Sequence, residues 1–338
     1  MIPPKAIRKI EKRMERIRQW RYRPVADVPL EMAETVEHYY QPPTDLDYKS
    51  IANGFRWGAD WLTVWFRGLA QVPADCQGTD IYYRLSTVAE MLVFVDGRPL
   101  SGMSPARPEV RLAKNARAGE TVPFYVEAYS GHLYPGGHPF PGVMRLHQCC
   151  HEWADKAFPH VVGSSELLIK REEAYALYYD ADVLLDTART LDENSLRKAQ
   201  IIDGLNEAFD LIPFFWEDEE ELEAGCHAAR SRITPLLALE NGPTTPFVGI
   251  VGHAHMDIAW LWPLKETVRK TARTFSSMLN LIEDYPEFTF MQSQPVLCQM
   301  AEDYYPSLIE PLKKAFATGN WQPNGGMWVE SDCNIPSG

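Results

Sequence analysis

The chain has 338 residues, and at about 100–200 residues per domain this length predicts two or three domains. Its 33 Lys and Arg residues and 46 Asp and Glu residues give a net charge of −13, so the field of the chain repels nucleic acid and anionic membranes. The composition is 45% hydrophobic and 23% charged, as in globular proteins, and no stretch approaches the roughly 18 apolar residues of a membrane span. We therefore expect a multidomain protein that binds neither nucleic acid nor membrane.

Residues 1–50 are predicted to form a helix followed by an arm. Apolar residues recur at helical spacing within a strongly basic stretch, which predicts an amphipathic helix docked on the body of the protein. This apolar face comprises Ile7, Ile10, Met14 and Ile17. No apolar segment typical of a secretory signal follows the basic residues, and the six cysteines show no CxxC spacing, which is typical of reduced thiols. The sequence thus indicates a cytoplasmic protein.

Residues 51–163 are predicted to form an antiparallel β-sandwich. Short β-like runs such as DIYYRLSTV and TVPFYVEAY are separated by turn signals. Asp96 and Gly97 predict a tight hairpin, because the favoured two-residue turn needs positive φ at both positions. A histidine and cysteine cluster follows, and its spacing fits no standard pairing of zinc ligands, which favours ordinary packing over a metal site. It comprises His147, Cys149, Cys150 and His151.

Residues 164–242 are predicted to form a helical linker. From about Ser164 the apolar residues fall at intervals of three and four, as in LLIKREEAYALYYDADVLLDTARTL. Asn194 or Ser195 can cap a second helix. The acidic run at 217–221 lies at the start of a third helix, where the helix dipole favours negative charge.

Residues 243–338 alternate between predicted strands and helices, and this order implies parallel strands with right-handed crossovers. FVGIVGHAHMD is predicted as a buried strand, FTFMQS as the second strand and the stretch from about 321 to 332 as the third. A helix over roughly 265–284 and helical sequence over 295–318, interrupted at Pro306, are predicted to connect them.

The most informative stretch is His253-Ala-His255-Met-Asp257, at the end of the first of these strands. Side chains alternate faces along a strand, so His253, His255 and Asp257 are expected to point to one side of its C-terminal end, where α/β folds place ligand sites. Two imidazoles and a carboxylate supply the nitrogen and oxygen donors that a divalent metal such as zinc prefers. Three ligand-type residues ahead of two tryptophans favour a metal site over a polar strand end with hydrogen-bonded histidines.

This stretch also carries a resemblance to a known family. HAHMDIAWLWPLKETVRKTARTF, followed by FMQSQPVL, YYPSL and GGMWVESDCNIPSG, resembles the N-terminal part of the catalytic domain of glycoside hydrolase family 38, the class II α-mannosidases. The upstream β-sandwich and helices resemble the N-terminal region of the cytosolic-type members. The resemblance implies that residues 243–338 form the first β/α units of an incomplete α/β barrel. It also implies a metal-dependent retaining α-mannosidase acting on mannose-containing oligosaccharides, with the full-length enzyme a candidate homo-oligomer.

The resemblance further implies roles for individual residues. His255 and Asp257 match the family's metal ligands, with zinc as the usual metal, and His253 would orient a ligand through a hydrogen bond. Trp260 would pack against the bound sugar. Asp332 would contact substrate hydroxyls.

A retaining glycosidase also needs a nucleophilic carboxylate and an acid/base carboxylate about 5–5.5 Å apart. In the family both lie on later strands, together with a further histidine ligand, so the resemblance implies that they lie beyond Gly338. Glu330 and Asp332 are two residues apart and could share a strand face. We assign neither of them a catalytic role.

Two other classes of function are weighed against this one. The chain could be a catalytically inactive carbohydrate-binding fragment whose sugar platform is formed by Trp57, Trp61 and Trp65, although residues so spaced on one strand more often belong to its core. It could instead be a metal-dependent amidohydrolase, since His-x-His at the end of a first barrel strand also occurs there. The AWLWP and GGMWVESD segments favour the mannosidase.

Overall fold

The computed structural model describes residues 4–59, 61–131, 160–216, 218–242, 244–260 and 262–331. Its helices are α1 (Pro4–Trp20), α2 (Glu172–Thr190), α3 (Leu196–Phe209), α4 (Glu219–Leu237), α5 (Leu264–Asp284), α6 (Pro295–Tyr304) and α7 (Ile309–Thr318). Its strands are β1 (Tyr22–Asp27), β2 (Leu30–Thr35), β3 (Lys49–Ile51), β4 (Arg56–Trp57), β5 (Thr63–Gln71), β6 (Ile81–Leu85), β7 (Glu90–Val95), β8 (Arg98–Met103), β9 (Glu109–Ala113), β10 (Thr121–Tyr129), β11 (His160–Val161), β12 (Ser165–Lys170), β13 (Gly252–His253), β14 (Phe290–Gln292) and β15 (Trp321–Pro323).

The chain divides into two compact units. The first comprises Met1–Val25 and Leu168–Val248, and the second comprises Ala26–Leu167 and Gly249–Gly338. Within the described ranges, no helix has both the length and the apolar character needed to cross a bilayer. The domain boundaries derived from the sequence stay predictions.

The first unit packs helices α1 to α4 around an apolar core. The predicted amphipathic helix is α1, which buries Ile10, Met14 and Ile17 against the other helices. Ser195 caps α3 by accepting a hydrogen bond from the backbone N–H of Lys198. Helix α4 begins with three glutamates in its first turn, as the helix dipole favours.

The start of the predicted linker is a strand, so the expectation that helix begins at about Ser164 is wrong for this segment. Strand β12 occupies residues 165–170 and lies between β1 and β6 in a four-stranded sheet of order β1-β12-β6-β9. A short apolar run such as LLI fits both a strand and a helix, and here the neighbouring strands decide. The helix itself begins at Glu172.

The predicted antiparallel β domain is confirmed. Its larger sheet has six strands in the order β3-β2-β5-β10-β7-β8, and every neighbouring pair in this sheet is antiparallel. Asp96 and Gly97 form the tight turn between β7 and β8, with φ values of 50° and 71°. The hairpin prediction is therefore correct at both turn positions.

Helix α5 packs on this sheet through buried charges. Glu127 on β10 pairs with Arg269 Nη1 at 3.1 Å and with Arg273 Nη2 at 2.6 Å. Glu266 on α5 pairs with the same two arginines, and Glu90 on β7 lies 3.3 Å from Arg273. Burial opposes ionisation of Glu266, but the charges of Arg269 and Arg273 outweigh it and lower the pKa of this carboxyl. The β domain and α5 thus share one ion-pair network within the second unit.

His38 borders this network and links folding to pH. Burial, and after it the charge of Arg269, lowers the pKa of His38 to about 4. In the unfolded chain the pKa of histidine is about 6.5. Between pH 6.5 and pH 4 the unfolded state therefore binds more protons than the folded state, and the free energy of unfolding falls as the pH drops through this range. We expect His38→Gln to lose less stability between pH 7 and pH 5 than the wild type, as measured by urea unfolding at both values. An equal loss in the two proteins would contradict this assignment.

The three-stranded sheet is parallel, in the order β13-β14-β15. The predicted helices are present, with a break at Pro306 between α6 and α7 and with Gly319 at φ 78° ending α7. Parallel strands joined by helices agree with the predicted β-α-β-α-β order. Closure of these strands into a barrel stays a prediction.

The prediction of a long buried first strand is wrong. Only Gly252 and His253 form β13, while Phe247 and Ile250 are 97% and 89% exposed. Within the described ranges, β13 pairs with β14 and has no strand on its other side. The apolar residues before β13 therefore have no strand on that side to pair with or to bury them.

The third strand is also shorter than predicted. Strand β15 ends at Pro323, whose nitrogen carries no hydrogen for a ladder bond. Gly325 then turns the chain at φ 85°, and a Cβ there would lie 2.6 Å from the carbonyl oxygen of Ser293. Only glycine fits this close approach, and the turn directs the following residues towards the end of β14.

Candidate metal site and adjoining cavity

The histidines and the aspartate lie where the parallel sheet ends, but not all on a strand. Strand β13 stops at His253, so His255 and Asp257 belong to the loop that follows it. His255 Nε2 is 3.3 Å from Asp257 Oδ1. The loop, rather than strand alternation, brings this pair together.

Glu330 joins the pair from the far end of the chain. Its Oε2 lies 2.9 Å from His255 Nδ1, and it also contacts the hydroxyl of Ser293. One ligand-type atom from each of His253, His255 and Glu330 lies within 4.8 Å of the others. No role was predicted for Glu330, although the WVESD segment that carries it is part of the resemblance.

Two buried glutamines hold the loop, although no role was predicted for either of them. Gln292 donates to the carbonyl oxygen of Ala254 at 3.2 Å, and Gln294 donates to that of Met256 at 2.6 Å. The side-chain oxygen of Gln294 accepts from the backbone N–H of Glu330 at 3.2 Å. The QSQ sequence at the end of β14 was the available signal, because buried amides at a strand end need partners.

The side-chain nitrogen and oxygen atoms at this site suit a divalent cation. His253, His255 and Glu330 offer two imidazoles and one carboxylate, all exposed, and Asp257 lies beside His255. Nitrogen and oxygen donors of this type bind zinc. His253 Nδ1 is 3.0 Å from the carbonyl oxygen of Met291, an acceptor, so Nδ1 donates and Nε2 keeps its lone pair. His255 has a carboxylate near each ring nitrogen, an arrangement in which one nitrogen binds a metal and the other is oriented by a carboxylate.

The tryptophans after the loop differ in exposure. Trp260 is 38% exposed, and its ring meets that of Trp262 edge to face at 5.6 Å. Trp262 is buried and donates to Thr267 Oγ1 at 3.1 Å, which ties the loop to α5. Asp332, the predicted contact to substrate, and the cluster from His147 to His151 lie outside the described residues.

A cavity of about 400 Å³ adjoins the site. It is lined by the loop residues His255 and Asp257, by Ser104 and Arg107, which follow β8, and by Lys270 of α5. The site is therefore bounded by the β domain as well as by the parallel sheet.

The tryptophan platform weighed as an alternative is wrong. Trp57 and Trp65 are fully buried and lie on two different strands, β4 and β5. Trp61 lies between those strands with φ 63°. The three rings therefore share no exposed strand face.

Comparisons with known proteins find two matches to domain families in this chain. Residues 246–338 match the glycosyl hydrolases family 38 N-terminal domain, and residues 19–138 match the alpha-mannosidase jelly roll domain. "Alpha-mannosidase G" of Dictyostelium discoideum is 30% identical over 88% of this chain and 27% of its own length. "Alpha-mannosidase 2C1" of Homo sapiens is 29% identical over 88% of this chain and 28% of its own length.

A more distant relative and a solved structure complete these comparisons. "Alpha-mannosidase" of Saccharomyces cerevisiae is 25% identical over 87% of this chain and 27% of its own length. A solved Faecalibacterium prausnitzii β-glucuronidase superposes on 44% of this chain and 31% of its own at 15% identity, with a TM-score of 0.28, which informs neither fold nor function. The chain spans little more than a quarter of the length of the curated relatives it matches. Residues 246–338 are thus similar to the N-terminal domain of glycosyl hydrolases of family 38, and residues 19–138 to the jelly roll domain of alpha-mannosidase, so the chain resembles the N-terminal portion of these enzymes.

Proposed function

We propose that this chain is the metal-binding N-terminal portion of a retaining α-mannosidase that removes terminal α-mannosyl residues from oligosaccharides in their catabolism. The observation that supports it most is the pairing of His255 with Asp257 at the end of a parallel sheet, within the segment that matches the family. Mannose-containing oligosaccharides are the proposed partners. A cytoplasmic location and a homo-oligomer of the full-length enzyme stay predictions.

His255 and Asp257 would hold the metal, which we propose to be zinc. If His255 gives Nε2 to the ion, its Nδ1 carries the proton and donates to Glu330, which orients the ring. The backbone of Glu330 is in turn held by Gln294. Bound zinc would supply a Lewis acid for the hydroxyls of the sugar.

The surrounding residues would position the sugar. Trp260 offers an exposed aromatic face for the apolar side of a pyranose. His253, fixed to the Met291 carbonyl, would help to orient the donors beside it. The nucleophile and the acid/base stay predicted beyond Gly338, so the proposed retaining reaction needs carboxylates that we do not assign here.

A zinc titration by calorimetry tests the metal assignment on the chain itself. We expect the wild type to bind one zinc ion and His255→Ala and Asp257→Asn to lose that binding. Glu330→Gln keeps an acceptor oxygen for Nδ1 and should weaken zinc binding by about 10–100-fold, as outer partners of metal ligands do. His227→Ala, which removes an exposed histidine of α4, should leave it unchanged. Unchanged affinity in His255→Ala would contradict the assignment.

Hydrolysis of an aryl α-mannoside by the product of the complete reading frame tests the activity. We expect turnover that a chelator abolishes and that zinc restores. Sugar binding without any turnover would favour the carbohydrate-binding alternative, and turnover of an amide or lactone alone would favour the amidohydrolase. Either result would contradict the mannosidase proposal.

A further inference from the structure

The cavity beside the metal site is lined by both matched domains. Ser104 and Arg107 belong to the jelly roll match, whereas His255 and Asp257 belong to the family 38 match. Its volume of about 400 Å³ falls within the roughly 300–1,000 Å³ of small-molecule sites. The cavity is therefore large enough for a sugar unit and reaches from the metal-site loop to the β domain.

The β-domain wall is fixed on α5 by close backbone packing. The N–H of Gly102 donates to Ser277 Oγ at 3.0 Å, and Asn280 donates to the carbonyl oxygen of Leu100 at 2.8 Å. A Cβ at Gly102 would lie 2.9 Å from the carbonyl oxygen of Arg273. Strand β8 thus approaches the helix as closely as glycine permits, so the wall holds its place relative to α5.

A tight turn places Arg107 on this wall. Ser104 and Arg107 exchange two backbone hydrogen bonds, of 2.9 and 3.1 Å, directly after β8. The Cα of Arg107 is therefore held by the same strand that packs on α5.

The cations that line the cavity differ in their partners. Lys270 and Arg273 both pair with Glu90, and Lys270 Nζ also lies 4.4 Å from the centre of the Trp262 ring. Arg107 is exposed and forms no ion pair with any residue that the structure describes. Its guanidinium N–H groups are therefore the donors that this cavity wall offers to a ligand.

We propose that this cavity receives the sugar unit next to the one held at the metal site, and that Arg107 donates hydrogen bonds to its hydroxyls. The planar guanidinium presents neighbouring N–H donors in a fixed geometry that suits two adjacent hydroxyls, whereas the three donors of a lysine ammonium rotate about a point charge. The β domain would then select oligosaccharides over simple mannosides. This inference rests on the proposed function, because it assumes that a mannosyl unit occupies the metal site.

Binding of two ligands to the zinc-loaded product of the complete reading frame tests the proposal. The ligands are methyl α-mannoside, which has no second sugar, and a thio-linked α-mannobiose, which resists hydrolysis. The preference for the disaccharide is the ratio of the two Kd values, measured by calorimetry. We expect Arg107→Ala to reduce this ratio by about tenfold, because the variant loses hydrogen bonds from a charged donor. Arg107→Lys should give an intermediate ratio.

Arg98→Ala is the matched control, because Arg98 is an exposed arginine of β8, the strand that precedes Arg107, and does not line the cavity. It should leave the ratio unchanged. A wild type that binds both ligands, with an unchanged ratio in Arg107→Ala, would overturn the subsite and leave the proposed function intact. A wild type that binds neither ligand would overturn the proposed function together with the inference.

Discussion

Replacing Glu127 by alanine should lower the free energy of unfolding by about 3–5 kcal/mol, the usual cost of removing one partner from a buried ion pair. Glu127 and Arg269 are each only 1% exposed, and Glu127 also pairs with Arg273. In the variant, the buried guanidinium groups of Arg269 and Arg273 would keep Glu266 as the one fully buried carboxylate paired with both of them. Urea unfolding followed by circular dichroism measures the change.

A second glutamate–arginine pair of the β domain provides the control. Glu31 pairs with Arg67 at 2.5 Å, but both side chains are about two-fifths exposed. Solvent screens such a pair, so Glu31→Ala should cost less than about 1 kcal/mol. Equal losses in Glu127→Ala and Glu31→Ala would show that burial of the network does not determine its contribution.

Replacing Trp321 by alanine should cost about 3–5 kcal/mol, the range for deleting a large aromatic side chain from a core. Trp321 is fully buried on β15 and meets Phe275 at 4.8 Å and Phe290 at 4.7 Å between ring centres. Its removal would leave a void between α5 and the parallel sheet. The same urea unfolding experiment measures this loss.

Trp328→Ala is the matched control, since Trp328 is 57% exposed. We expect a change within about 0.5 kcal/mol, as for most surface substitutions. A comparable loss in both tryptophan variants would contradict the view that the rings around Trp321 stabilise the parallel sheet.

Local elements followed from the sequence because their causes are local. The amphipathic pattern of α5, the cap at Ser195 and the turn at Asp96 and Gly97 all depend on residues within a few positions of one another. The metal-site candidates His255 and Asp257 were likewise recognisable, since they are two residues apart. Such spacings keep their meaning without knowledge of the fold.

Contacts between distant segments were decided only by the tertiary structure. The run at 165–170 is a strand because β1 and β6 lie beside it, and Phe247 is exposed because β13 has one neighbouring strand within the described residues. Glu330 reaches His255, and Glu127 reaches Arg269, across long stretches of chain. No local pattern encodes such a meeting, because it depends on how whole strands and helices pack to bury apolar surface and pair their charges.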